Sequence, residues 1–186
     1  KSPDSVYDPK LELFAYNIDG VDYEINEIQH PDFNIDTKAC SHKKNHCAAK
    51  YELVMSVHHA QCCYINGSYK GGEHDLNMFR RGKMKAEMKK MKEMGKKAIV
   101  DRGYQSLSTV DERGFFSFPD NMDSKELHQF KSRSCLRHES FNGRIKMYRV
   151  LQGRFRHGFH MHKFAFEAVI VTVQYQMDNG SPIFAV

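Results

Sequence analysis

Near the middle of the chain stands the segment Ala98-Ile99-Val100-Asp101-Arg102-Gly103-Tyr104. It opens with an apolar, β-branched run that stops at an acid, and a glycine follows two residues later. This pattern is typical of a buried strand that ends at the edge of a sheet. We therefore predict a buried strand with Asp101 at its end.

Further strand patterns lie upstream of this segment. Residues 11–25 alternate in part between apolar and polar positions, and Asp19 with its following glycine interrupts the alternation. This predicts a strand or a hairpin pair with acids at its turn, so that Asp19 also lies at a strand end. Residues 28–49 predict a loop, and two more strands are predicted at 51–57 and 62–65. Three successive strands indicate an antiparallel meander.

Helical patterns occupy much of the remaining chain. Residues 74–97 predict one amphipathic helix, because three methionines recur at helical spacing among lysines and glutamates and can pack on the sheet. A long helix is predicted at 124–151 and an apolar helix at 164–175. The order of strands, helix, strand and helices predicts an α/β fold with a mixed sheet flanked by helices.

The long predicted helix carries a third acid, Glu139. On a helical wheel its apolar stripe consists of Leu136, Gly143, Met147, Val150 and Leu151. We expect this stripe to be buried, with its glycine allowing a close approach to the sheet. Glu139, Asn142 and Lys146 line one edge of the stripe at i, i+3 and i+7, where a metal-bound phosphate could reach all three.

Composition limits the class of protein. A length of 186 residues is typical of one domain. The 28 Lys and Arg residues outnumber the 23 Asp and Glu residues and give a formal charge of +5, which suits a polyanionic partner without establishing one. Five cysteines, two of them adjacent, are a poor disulfide layout and favour a reducing compartment. Because no apolar run is long enough to span a bilayer and residues 1–4 are no signal peptide, we expect a soluble protein without membrane partners.

A zinc site is an alternative that we weigh and do not expect. Its candidate ligands are Cys40, His42, His46 and Cys47. Structural zinc sites usually use two pairs of ligands separated by a long spacer, and here all four side chains fall within eight residues. The three histidines between 157 and 162 are assigned to a solvated or DNA-facing loop rather than to a metal site.

Several short blocks occur in a recognisable order along the chain. They are Ile18-Asp19-Gly20-Val21-Asp22, Lys50-Tyr51-Glu52-Leu53, Gly72-Glu73-His74-Asp75, Val100-Asp101-Arg102-Gly103-Tyr104, and Arg137-His138-Glu139 with Asn142 and Lys146. Together they resemble DDE transposases of the PIF/Harbinger group and related bacterial enzymes, over nearly the whole chain. The 37 residues between Asp101 and Glu139 are typical of that family.

The resemblance implies an RNase H-like fold and metal-dependent DNA chemistry. It implies that Asp19, Asp101 and Glu139 are both the catalytic residues and the ligands of two divalent ions, Mg²⁺ or Mn²⁺. Carboxylate oxygens suit these hard ions, and a metal pair can activate the attacking oxygen and stabilise the leaving oxygen during phosphoryl transfer. The expected function is a DNA endonuclease and strand-transfer domain.

Four further residues match polar positions of the family. Arg137, Asn142 and Lys146 are expected to contact phosphates of the DNA, although for Arg137 a solvated surface position is an equal alternative. Asp75 lies near the start of a predicted helix. It is expected either to cap that helix or to support the metal ligands from behind, and not to replace Asp101 as a ligand.

The resemblance also sets the expected context of the chain. We expect residues 1–186 to be a single catalytic domain, and a fragment that lacks the N-terminal DNA-binding region of such transposases. Its partner is then DNA, both transposon ends and target, and a homodimer is compatible with this role. The expected location is the nucleus in a eukaryote and otherwise the cytoplasm. The alternative function is a domesticated or inactive transposase-derived domain that binds nucleic acid or protein without cutting.

Overall fold

The computed structural model describes residues 13–26, 39–41, 46–104 and 109–186. The strands are β1 (Phe14–Glu24), β2 (Ala48–Ser56), β3 (Cys62–Lys70), β4 (Lys97–Val100) and β5 (Phe116–Ser117). The helices are α1 (Asp75–Arg81), α2 (Met84–Glu93), α3 (Val110–Arg113), α4 (Lys125–Lys146) and α5 (Phe159–Asp178), with a 3-10 turn at Arg102–Tyr104.

The strands form one mixed sheet in the order β3-β2-β1-β4-β5. The first three strands pair antiparallel as a meander, and β4 and β5 extend the sheet in parallel with β1. The prediction of an α/β fold with a mixed sheet flanked by helices is confirmed, and the architecture is that of an RNase H-like fold.

The first strand continues through the Asp19-Gly20 step where the sequence pattern predicted an interruption. β1 pairs with β2 without a break from Tyr16 opposite Ser56 to Glu24 opposite Ala48. The strand alternative is therefore confirmed, and the predicted turn at Asp19 is wrong. Asp19 lies inside β1 rather than at its end, because the antiparallel ladder with β2 holds both sides of the Asp-Gly step in extended conformation.

The predicted helix at 74–97 is divided into α1 and α2. The break falls at Gly82, whose extended backbone ends α1 and whose N–H donates to the carbonyl of Met78. A side chain at this position would collide with the side chain of Asn66, so the glycine allows the chain to pass close to β3. Met84 and Met88 are buried against the sheet, which confirms the predicted role of the methionine stripe.

Each face of the sheet has its own core. The face toward α4 and α5 is filled by residues that include Val21, Tyr23, Tyr51, Leu53, Phe141 and Phe166. The face toward α1 and α2 is filled by residues that include Ile18, Val54, Leu76, Phe79, Met88 and Val100. Because side chains alternate along a strand, Asp19 faces α4 while Gly20 faces α1.

The orientation predicted for α4 is wrong. Leu136, Met147 and Val150 are 53%, 73% and 47% exposed, and a Cβ at Gly143 would meet nothing within 4 Å. Leu151 is buried but lies beyond the end of the helix. The buried face instead consists of Phe130, Lys131, Ser134, Arg137, His138, Phe141, Asn142 and Ile145. The helix thus packs with a largely polar face.

The last helix begins at Phe159, earlier than predicted, so the prediction of a loop is wrong for His160 and His162, which both lie within the helix. The His162 ring is fully buried, stacks on Tyr51 and Phe166, and has its Nδ1 2.8 Å from the hydroxyl of Tyr51. Burial lowers the pKa of His162 to about 4, so the ring is neutral. Within the described residues, neither α5 nor any other helix combines the length and apolarity needed to cross a membrane.

Candidate active site

The parallel pairing of β1 with β4 brings two acids together. Ile18 is the register partner of Val100, the last residue of β4. One residue further along each chain are Asp19 and Asp101, and neighbouring strands run about 4.8 Å apart. Asp19 therefore marks the point along β1 where its parallel neighbour ends.

A polar ladder attaches α4 to β1 beside these acids. Asn17 Nδ2 donates to Ser134 Oγ at 3.2 Å, which leaves Asn17 Oδ1 to accept from His138 Nδ1 at 2.6 Å. All three side chains are at most 2% exposed. Burial lowers the pKa of His138 to about 3, so its ring is neutral and its Nδ1 carries the proton.

The ladder continues to Asp19. Asp19 lies two residues after Asn17 on β1, and Asn142 lies one helical turn after His138 on α4. Asn142 Nδ2 is 3.5 Å from Asp19 Oδ2, which is a long hydrogen bond. Asp19 Oδ1 accepts from the N–H of Gly20 at 2.8 Å. The carboxylate of Asp19 is therefore held from both sides. Glu139 lies three residues before Asn142 on α4.

Asp19, Asp101 and Glu139 line one cavity of about 90 Å³, together with Cys135 and His138. Asp101 and Glu139 are exposed residues, and Asp101 Oδ1 accepts from a backbone N–H two residues on. Burial and, to a smaller extent, the negative charges of the three carboxylates together raise the pKa of the Cys135 thiol to about 11. Three acids from three elements thus share one space, although the described residues contain no group of three acid, His or Cys side chains gathered as a ready metal site.

Asp75 lies on the opposite side of the sheet from Glu139. The side chain that caps α1 belongs to His74, so the predicted capping role of Asp75 is wrong. Asp75 Oδ1 forms an ion pair with Lys50 Nζ at 2.9 Å, with the two side chains only 13% and 10% exposed. A Cβ on Gly20 would collide with Asp75, and one on Gly103 would lie 3.6 Å from Asp75 Oδ2.

These contacts place Asp75 behind both strand-borne acids. Gly20 directly follows Asp19, and Gly103 lies two residues beyond Asp101. The absence of a side chain at Gly20 is what allows the carboxylate of Asp75 to approach the backbone there, whereas at Gly103 a Cβ would be in ordinary van der Waals contact with it. The position is compatible with the predicted supporting role, which remains a prediction.

A buried acid lies deeper on the same side. Glu52 is fully buried, with Oε1 3.5 Å from Asn66 Nδ2 and Oε2 3.5 Å from the hydroxyl of Tyr104. Burial raises the pKa of the Glu52 carboxyl to about 8. Burial also raises the pKa of Tyr104 well above its ordinary value, and Glu52 and Asp75 add to that effect. Glu52 was not among the predicted site residues.

The three predicted phosphate contacts occupy different environments. Arg137 is 2% exposed and donates to the carbonyls of Ser56 and Val57, so it joins α4 to the end of β2 and we withdraw it from the phosphate-binding set. Asn142 is 7% exposed and is directed at Asp19. Lys146 is exposed and lines a groove next to Glu139.

Other candidate sites lie away from the acids. A larger cavity of about 350 Å³ lies between β5 and α4, where Lys131 forms a buried ion pair with Asp123. It contains none of the predicted site residues. Of the zinc candidates, Cys40 and Cys47 face each other with their Sγ atoms 3.9 Å apart, and residue 42 lies outside the described residues.

The sequence interpretation missed Asn17 and His138. Asn17 precedes Asp19 by two residues, which puts both on one face of a strand, and His138 precedes Asn142 by four residues, which puts both on one face of a helix. These two spacings were the available signal. Hydrophobic periodicity does not detect them, because it identifies the buried face of a helix or strand from apolar residues alone.

A search of curated proteins and a search of solved structures found no significant similarity. The model of a protein family described as DDE superfamily endonuclease matches residues 18–174, which include Asp19, Asp101 and Glu139. This match covers most of the chain, from β1 into α5. The chain therefore belongs to the DDE superfamily endonucleases.

Proposed function

We propose that the chain is the catalytic domain of a transposase and cuts DNA by two-metal phosphoryl transfer at Asp19, Asp101 and Glu139. The observation that carries the proposal is the shared cavity of these three carboxylates, which come from β1, the end of β4 and α4. Nucleases that use metal ions need oxygen ligands from separate elements at one point. Family membership favours DNA as the substrate.

The chemistry of the side chains fits divalent ions such as Mg²⁺ or Mn²⁺. Two of the three acids are exposed and can rotate toward an ion, while Asp19 is fixed by Asn142 and its own following N–H. Bound metal would supply Lewis acidity at the scissile phosphate and a more acidic attacking water or hydroxyl. We assign no other described residue as a ligand.

The surrounding residues have positioning roles in this proposal. Asn142 holds the carboxylate of Asp19, and the Asn17–His138 contact sets the height of α4 on the sheet. Asp75, behind the two strand-borne acids, limits how far their backbone can move away from α4. Lys146, exposed beside the cavity, offers a cation to a DNA phosphate.

One observation favours the alternative of a transposase-derived domain that does not cut. In the described conformation the acids share a cavity without being gathered as a ready ligand set. Metal binding distinguishes the two functions, because a non-cutting domain has no need to bring the carboxylates together. The decisive experiment therefore measures metal binding as well as cleavage.

The test compares Glu139→Gln with Glu126→Gln, a matched change in the first turn of the same helix and outside the cavity. The assay is nicking of supercoiled plasmid in Mn²⁺, with Mn²⁺ affinity measured by calorimetry. Gln keeps the size and helix propensity of Glu but removes the charge that offsets the metal. We expect Glu139→Gln to reduce nicking by roughly a hundredfold or more and to weaken Mn²⁺ binding, which is typical of losing a charged metal ligand.

Glu126→Gln is expected to nick as the wild type does, and both variants should melt within about 2 °C of it, since neither side chain is buried. Equal nicking by the wild type and Glu139→Gln would exclude Glu139 from the reaction. Absence of Mn²⁺ binding and nicking in the wild type would favour the non-cutting alternative.

A further inference from the structure

Cys40 and Cys47 form a pair of facing thiols away from the candidate active site. Both are free cysteines, and their Sγ atoms lie 3.9 Å apart. Cys40 is partly exposed, whereas Cys47 is only 3% exposed and belongs to the core on the α4 side of the sheet. Neither residue lines the acid cavity, so the proposed nuclease function does not account for the pair.

The backbone around the two cysteines is that of an antiparallel bridge. Cys40 is the bridge partner of Cys47, and the N–H of Ser41 donates to the carbonyl of His46 at 2.9 Å. Because this bond joins the residue after Cys40 to the residue before Cys47, the cysteines occupy a non-hydrogen-bonded position of the bridge. At such positions the Cα atoms are about 4.5 Å apart, and the side chains are closer than at hydrogen-bonded positions.

This geometry suits a disulfide bond. A disulfide needs Cα atoms about 4.4–6.8 Å apart and sulfurs about 2.05 Å apart. The bridge meets the first requirement, and rotation of the two side chains closes the remaining distance. Both sides of the bridge are also attached to the sheet, because the carbonyl of Cys47 accepts from the N–H of Ile25 at 3.0 Å and the hydroxyl of Ser41 donates to Asp22 at 2.7 Å.

The other three cysteines are placed differently. The thiols of Cys62 and Cys63 are each directed at a backbone carbonyl, and the sulfur of Cys135 accepts from the side-chain amide of Asn17. Cys62 and Cys63 are also neighbours in sequence, so they are not opposite each other on paired strands. Cys40 and Cys47 are therefore the pair whose backbone register already holds two thiols face to face.

We infer that Cys40 and Cys47 are a modification site, at which a reversible intramolecular disulfide forms by exchange with a low-molecular-weight disulfide such as oxidised glutathione. The inference does not depend on the proposed nuclease function. A single reversible bond is also compatible with the expected reducing compartment, where the pair stays in the thiol form until the proportion of oxidised glutathione rises.

The exchange consists of two displacements. The more accessible Cys40 loses its proton, and its sulfur attacks one sulfur of oxidised glutathione, so that the glutathione S–S bond breaks and one glutathione leaves as a thiolate and takes up a proton. The sulfur of Cys47 then loses its proton, attacks the sulfur of Cys40 and displaces the second glutathione. Two protein thiols are thereby oxidised by two electrons, and one oxidised glutathione is reduced to two molecules of glutathione.

The test is tryptic peptide mapping of the chain after the folded protein has been incubated with oxidised glutathione. Lys43 and Lys44 lie between the two cysteines. After denaturation, trypsin therefore separates peptide 39–43, which contains Cys40, from peptide 45–50, which contains Cys47, unless a disulfide joins them. Remaining thiols are blocked with N-ethylmaleimide before digestion so that no exchange occurs afterwards.

We expect the two peptides of the wild type to be recovered as one linked species that dithiothreitol separates. The melting temperature should rise by roughly 3–8 °C on oxidation, because closing an eight-residue loop restricts the unfolded chain. Cys63→Ser removes an exposed thiol of β3 and is the matched control, which should behave as the wild type does. Cys40→Ser should show neither the linked peptides nor the rise in melting temperature.

Three results of the mapping would overturn the inference. They are free thiols at both positions, glutathione that stays attached to Cys40, and linkage of either residue to another cysteine. An equal rise in melting temperature for the wild type and Cys40→Ser would also overturn it. Because the mapping uses the wild type, it remains decisive even if Cys40→Ser does not fold, and the nicking assay with Glu139→Gln is independent of its outcome.

Discussion

Glu52 gives the most direct link between burial and a measurable property. Its carboxyl is fully buried between β2, β3 and the Tyr104 turn, and burial raises its pKa from 4.5 to about 8. The folded protein therefore holds a proton that the unfolded chain releases. The associated stability is fully present below pH 4.5 and is lost as the pH rises through 8.

The size of the effect follows from the two pKa values. Each pH unit between them costs about 1.4 kcal/mol, so between pH 5 and pH 7 the free energy of unfolding falls by roughly 2–3 kcal/mol through this group alone. For a chain of this length that corresponds to a decrease in melting temperature of roughly 5–10 °C. Glu52→Gln keeps the shape and one acceptor while removing the titration.

The assay is urea denaturation of the wild type and Glu52→Gln at several pH values from 5 to 8.5, with Glu93→Gln as an exposed control in α2. We expect the stability of Glu52→Gln to decline less with pH, and that of Glu93→Gln to follow the wild type. If the wild type and Glu52→Gln have the same pH slope, Glu52 is ionised in the folded protein, and the bonds from Asn66 and Tyr104 outweigh the cost of burial.

Two other predictions concern residues that the fold reassigns. Burial lowers the pKa of His162 from 6.5 to about 4, so its contribution to stability is present above pH 6.5 and is lost as the pH falls toward 4. We expect His162→Phe to be less stable than the wild type at pH 7 but to lose less stability in acid, as measured by thermal melting at several pH values. Arg137→Gln should destabilise by about 2–4 kcal/mol, because it removes charged donors from the buried carbonyls of Ser56 and Val57. Its DNA affinity per folded molecule should match that of the exposed control Arg133→Gln, and a selective loss of affinity would restore Arg137 to the phosphate-binding set.

The acid at the end of β4 could be predicted from the sequence because its signals are local. An apolar β-branched run that stops at Asp101 and a glycine encodes a strand end without reference to the remaining chain. The position of Asp19 within β1 has no such local signal. It is defined by where β4 ends beside it, and that depends on the register between strands far apart in sequence.

The face of α4 could not be predicted from hydrophobic periodicity. Counting apolar residues favoured the side with Leu136 and Met147, yet both are exposed. The helix buries Arg137, His138 and Asn142 because each finds a partner on the sheet, which offsets part of the cost of burial; among the described residues, His138 Nε2 and Asn142 Oδ1 have no partner. The sequence does not show whether a polar side chain will find a hydrogen-bond partner in the folded protein. Only the tertiary structure distinguishes a polar residue that can be buried from one that must stay exposed.

The polar attachment of α4 also explains how an exposed acid can be positioned accurately. Asn17 and Asp19 are separated by about 6.7 Å along a strand, and His138 and Asn142 by about 6 Å along a helix, so the two pairs match in spacing. A shift of the helix by one residue would separate both pairs and leave buried polar groups unpaired, which apolar contacts alone would not penalise as strongly. Glu139 needs no contact of its own to reach the acid cavity, because its neighbours on either side along the helix set the rotation and height of α4.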